Sequence, residues 1–148
     1  MFKHILIPVD GSKLALKGAK AGAKLAGALG ARLTAVYVVP PYVQPMSGEA
    51  AIYVPGLSVR EYQQRGSRTA RAALQAAAAL ARKSGASCAA KTVFDRPAWD
   101  GILRAARAAK CDAIVMASHG RGGLGGLLLG SATQRVLAHS KIPVLVIR

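Results

Sequence analysis

Asp112-Ala113-Ile114-Val115-Met116-Ala117-Ser118-His119-Gly120 is the stretch on which the fold turns. From Ala113 to Ala117 it has no polar position, the pattern of a strand buried on both faces. It then enters a loop with glycines at 120, 122, 123, 125 and 126. The loop ends at Gly130-Ser131, where a helical segment over 131–139 begins. A buried strand that feeds a glycine-rich loop and then a helix belongs to a parallel sheet covered by helices.

Working outward, the same alternation covers the chain. Further strands are predicted at 3–8, 32–39, 87–94 and 143–147, with this one at 112–117. Helices are predicted at 12–29, 58–84 and about 97–109. Ser12 suits an N-cap, Gly30 and Gly85 suit helix stops, and Pro97 suits a first helical turn. Residues 40–57 hold Pro40, Pro41, Pro45, Pro55, Gly48 and Gly56, and read as a long loop. Its Tyr42 and Tyr53 are candidates for covering a ligand or recruiting a partner. Strict strand–helix alternation with right-handed crossovers gives a doubly wound five-stranded parallel sheet sandwiched by helices. No internal repeat or linker divides the chain, so a single domain over 1–148 is expected. Its 148 residues are enough for one sizeable core.

Composition narrows the function classes. Hydrophobic residues make up 52% of the chain and charged ones 18%, which excludes a disordered polymer. Runs such as Ala76-Ala77-Ala78-Ala79 favour closely packed helices. Cys88 and Cys111 lie 23 positions apart without CxxC or metal-type spacing, so both are expected to be buried thiols in a reducing compartment. The first apolar run, 5–9, is too short for a signal peptide or a membrane span, and the expected location is the cytoplasm.

The net charge of +15 draws anions to the surface. Lys13, Lys17, Lys20 and Lys24 share one helical face, as do Arg104, Arg107 and Lys110. Neither face carries interleaved aromatics for base stacking, so both read as solvated helix faces.

The loop after 112–117 carries the chemistry. Its glycines allow backbone N–H groups to approach an anion, and Ser131 stands at a helix N-terminus where phosphate is favoured. Arg121 adds a positive charge. Neither GxxxxGK[ST] nor a dinucleotide fingerprint in proper context is present. On residue chemistry alone, a phosphate cradle and a plain connection are both open readings.

Three stretches together resemble the universal stress protein family: Ile5-Leu6-Ile7-Pro8-Val9-Asp10-Gly11-Ser12, the 112–120 stretch, and Gly130-Ser131 through Pro143-Val144-Leu145-Val146. The ATP-binding branch of that family carries G-x-x-G, nine residues, then G-[S/T]. Gly120, Gly130 and Ser131 match with the nine-residue spacing intact, whereas Ala117 replaces the first glycine. Asp95-Arg96-Pro97 also departs from the glycine usual before that proline. The resemblance implies a Rossmann-like fold of the adenine nucleotide alpha hydrolase kind and an ATP-binding stress-response protein. It implies adenosine contacts from Pro8, Val9, Asp10, Val38 and Met116. Phosphate contacts are implied for Gly120, Arg121, Gly130, Ser131 and Ala132, with Ala117 and His119 in the same loop. It further implies ATP, with Mg²⁺ arriving on the phosphates, a homodimer through strand 143–147, and a downstream protein partner.

Catalysis beyond weak hydrolysis is not expected. The six carboxylates are Asp10, Glu49, Glu61, Asp95, Asp100 and Asp112, and Asp10 alone belongs to the implied pocket. General-base or two-metal chemistry needs acids that converge. The alternatives are a slow ATP hydrolase using His119 and Asp10, or a basic family member that contacts nucleic acid or anionic surfaces. No membrane insertion is expected.

Overall fold

The computed structural model describes residues 1–42, 58–94, 96–119 and 129–148. Gly120, Arg121, Asp95 and most of the 40–57 loop fall outside them. The described chain runs β1 (His4–Pro8), α1 (Lys13–Leu29), β2 (Arg32–Val39), α2 (Val59–Lys83), β3 (Cys88–Phe94), α3 (Ala98–Ala108), β4 (Ala113–Ala117), α4 (Ser131–His139) and β5 (Val144–Ile147). The strand starts differ from the sequence reading by at most one residue.

Local chemistry accounts for the helix ends. Ser12 caps α1 by accepting the Ala15 N–H at 3.1 Å. Gly30, at φ 62°, closes α1 in the left-handed region that glycine adopts without steric cost. At the start of α2, Ser58 and Glu61 form a reciprocal capping box.

All strand pairs are parallel, in the order β3-β2-β1-β4-β5. The winding runs outward from β1 through β2 to β3, then returns to the other side of β1. Its reversal lies between β1 and β4. Alternation along the strands divides the core. Ile5, Ile7 and Val9 pack with the alanine-rich faces of α1 and α2, including Ala19, Ala23, Ala73 and Ala77. Leu6, Val36, Ile114 and Met116 pack with Ile102 and Ala105 of α3 and Val136 of α4. Glycines let α1 lie close to the sheet: a Cβ at Gly18 would stand 2.9 Å from the Ala117 nitrogen, and one at Gly22 would stand 2.5 Å from Ile7 Cγ2.

β3 is exposed along most of its length because it is the sheet edge. One expectation needs correction: Cys88, expected to be buried, lies on that edge and is only half-buried, while Cys111 is buried. Burial raises the Cys88 thiol pKa and pushes that of Cys111 up to about 11, so both remain weakly nucleophilic at neutral pH. The two basic faces are exposed as expected, and Arg104 pairs with Asp100 at 2.8 Å.

The pairing of β1 with β4 stops early. It covers Ile5↔Ala113 and Leu6↔Ile114, although both strands continue. Arg32 N–H bonds the Lys3 carbonyl and Val9 N–H bonds the Val36 carbonyl, so odd residues of β1 face β2. Pro8 therefore faces β4, and it has no N–H to give. The two central strands part at their C-terminal ends, at the point where the winding reverses.

Candidate functional site

The parting of β1 and β4 opens a cleft at their C-terminal ends. Pro8, Val9 and Asp10 form one wall and Met116, Ala117 and His119 the opposite one. Val36 and Val38 of β2 and Ala98 and Ile102 of α3 supply an apolar side, and Ala132 and Thr133 of α4 close the end. Crevices at the carboxyl ends of parallel strands, at the winding reversal, are where such sheets receive ligands.

Each wall is held by identifiable bonds. Asp10 Oδ1 accepts the Ser12 N–H at 2.9 Å, which fixes the turn from β1 into α1. Thr133 donates its hydroxyl to the Ala117 carbonyl at 3.1 Å, and Gly130 N–H bonds the Ser118 carbonyl at 2.8 Å. These two bonds pin the first turn of α4 to the end of β4. Ser118 is itself tied to β5 through its N–H on the Ile147 carbonyl at 2.8 Å. His119 Nδ1 lies 3.0 Å from Ser118 Oγ, which fits a histidine that orders the strand exit.

Helix α4 begins at Gly130 without a side-chain cap. The N–H groups of its first turn have no partner within the helix, and the dipole makes that end positive. Two of the three first-turn residues, Ala132 and Thr133, line the cleft. The apolar side suits a flat heterocycle. Asp10 is the one acid among the described lining residues, and its carboxylate suits sugar hydroxyls. The alternation that puts Ala113 and Val115 in the α1–α2 cluster puts Ala117 on that same face, beside Gly18.

Of the twelve residues singled out in the sequence, Pro8, Val9, Asp10, Val38, Met116, Ala117, His119 and Ala132 line the cleft. Gly130 and Ser131 begin the helix at its end, with Ser131 exposed. Gly120 and Arg121 lie outside the described residues. Ala15, Val36, Ala98, Ile102 and Thr133 also line it and were missed. Only the strand order, which brings α3 beside β2 and β1, could have found Ala98 and Ile102. Among the described residues no group of three or more His, Cys, Asp or Glu is placed to hold a metal ion, and no helix is long and apolar enough to cross a membrane.

Strand order and cleft together define a doubly wound α/β protein with a crevice at its switch point. The chain belongs to the universal stress protein family, whose model matches residues 1–148. A universal stress protein of Thermus aquaticus, from the QAH/OAS sulfhydrylase 3′ region, is 36% identical over 152 aligned positions that cover 100% of both chains. Universal stress protein UspA of Lactobacillus plantarum superimposes with a TM-score of 0.80 at 25% identity, covering 99% of this chain and 97% of that one. A universal stress protein solved in complex with cAMP superimposes with a TM-score of 0.72 at 26% identity, again covering 99% and 97%.

Proposed function

We infer that this protein binds an adenine nucleotide, with ATP the leading ligand, in the cleft between β1 and β4. The observation that carries the reading is the convergence of apolar walls, one carboxylate and an uncapped helix N-terminus on one crevice. In this reading Val38, Ile102 and Met116 sandwich the base, and Asp10 accepts bonds from ribose hydroxyls. The first-turn N–H groups of α4 receive phosphate oxygens, with Gly130, Ser131 and Ala132 around them. Gly120 and Arg121 complete the phosphate end, and Mg²⁺ travels with ATP on its phosphates and water. The cAMP complex of a relative supports the same class of ligand. With a single acid among the described residues of the cleft, the protein acts as a nucleotide-responsive regulatory module in the cytoplasm. It works as a homodimer through β5, and another protein senses its occupancy.

The test is calorimetric titration with Mg·ATP, AMP and cAMP at physiological ionic strength. Saturable binding near one nucleotide per chain is expected. Gly130 has extended backbone at φ −60°, so another residue fits its conformation. Gly130→Phe should keep the fold, seen by circular dichroism, and lose at least about tenfold in affinity, or ~1.4 kcal/mol. Silence with all three nucleotides would overturn the reading, and unchanged affinity in Gly130→Phe would overturn the phosphate assignment.

A further inference from the structure

A second surface lies away from the cleft, along the outer side of α2 and the open edge of β3. Arg60, Arg68 and Arg71 of α2 line one trough with Phe94 of β3. Ser67, Arg71 and Phe94 continue into a second hollow floored by Leu74, Ala90 and Thr92. All three arginines are exposed, and none forms an ion pair with a described residue. Among the described residues no Asp or Glu lines either hollow. Phe94 is 38% exposed, a large apolar side chain left in water.

The edge itself is unusual. β3 is seven residues long and outermost in the sheet, and Lys91 is its one charged residue. Edge strands of this length are ordinarily blunted by charges, proline or covering loops. Its hydrogen-bonding parity follows from the Leu33 N–H, which bonds the Ser87 carbonyl. With Leu33 paired to Cys88, the peptide groups of Ala89, Lys91 and Val93 face β2. Those of Ala90, Thr92 and Phe94 face outward, offering donors and acceptors in alternation. The side chains of these same three residues lie on the α2 side, in the arginine-lined trough.

We propose that the β3 edge and the α2 arginines form a docking site for an acidic, extended peptide segment of a partner protein, which adds to the sheet as a sixth strand. An added strand satisfies both the N–H and the C=O groups of the edge. A DNA backbone offers acceptors only and would leave the outward carbonyls unmet, and the sparse 2′-hydroxyls of RNA do not match the alternation of donors and acceptors along a strand edge. The incoming side chains on the α2 side recur at every second residue, so carboxylates at alternate positions meet the arginines while apolar neighbours meet Phe94 and Leu74. A second copy of this chain is a poor occupant. Its six acids are scattered, with no two closer than five positions, so it has no segment of alternating acids.

The probe is a fluorescent peptide alternating glutamate and valine, compared by anisotropy with its lysine–valine counterpart and with oligothymidylate. Saturable binding of the glutamate peptide alone is expected. Arg68→Glu combined with Arg71→Glu, both on an exposed helix face, should weaken it at least about tenfold. Thr92→Pro removes one outward N–H where an edge strand tolerates proline, and should weaken it as much. Circular dichroism and nucleotide binding should stay unchanged in both variants, which separates this site from the cleft. Failure of the glutamate peptide to bind would overturn the proposal. So would binding that the arginine reversals leave intact, or oligothymidylate binding that they abolish while Thr92→Pro leaves it intact.

Discussion

His4 is a buried titratable side chain of the central strand β1, 8% exposed. Its Nε2 lies 2.9 Å from Thr34 Oγ1. Burial, and then the nearby Arg32, hold its pKa below the ordinary histidine value of 6.5. The folded state therefore prefers neutral His4, while the unfolded chain takes up a proton at higher pH. Stability is complete above about pH 7 and declines as pH falls through the ordinary histidine range. Asp112 adds a second, lower loss. Burial raises its pKa, but bonds from the Lys3 and His4 N–H groups, at 2.7 and 3.0 Å, outweigh that and leave it lowered. Its contribution disappears only as pH falls through the carboxylate range. Urea midpoints measured from about pH 7.5 to about pH 5 should fall for the native chain and stay flatter for His4→Gln. Equal slopes would remove His4 as the cause.

Among the elements, β1 is decided by one residue at its end. Pro8 keeps the central strands from zipping beyond Leu6 and Ile114, and so keeps the cleft open. Pro8→Ala supplies the missing N–H, and should let β1 and β4 pair further and narrow the crevice. Nucleotide affinity is expected to fall, with stability changed by no more than about 1 kcal/mol, because the added bond and the freer unfolded chain offset each other. Calorimetry with a parallel thermal melt checks both. Much at this scale was legible beforehand. Apolar or β-branched runs announced the strands, and Ser12, Gly30 and Gly85 announced helix ends, because these signals are local. The exposure of β3 was not legible, because only the strand order makes it an edge. Arg60, Arg68 and Arg71 passed unremarked for the same reason, since their meaning depends on which strand lies beside α2. The cleft was legible where motif residues lie on strand ends. It was hidden where α3 contributes, through Ala98 and Ile102.

At the scale of the whole molecule, the sheet has two different edges. β3 carries the arginine trough, while β5 presents Leu145, 49% exposed, on a short apolar strand. If β5 pairs with its copy, Leu145 is the side chain with most area to lose to water. Leu145→Asp should convert the dimer to a monomer by light scattering, leaving the far-ultraviolet dichroism intact; a persistent dimer would place the interface elsewhere. The layer between sheet and outer helices has a further consequence. Its helix side is built largely of alanine methyls, among them Ala19, Ala23, Ala26, Ala70, Ala73, Ala77 and Ala81, with Gly18 and Gly22 at the closest approach. Each methyl contributes on the order of 1 kcal/mol, so no single one is decisive. An added branch there has nowhere to go, because α1 already lies in contact with the backbone of β4. The fold is thus forgiving of lost atoms and unforgiving of gained ones along the inward faces of α1 and α2, and leaves room for bulk only at the outward positions that carry the lysines and arginines.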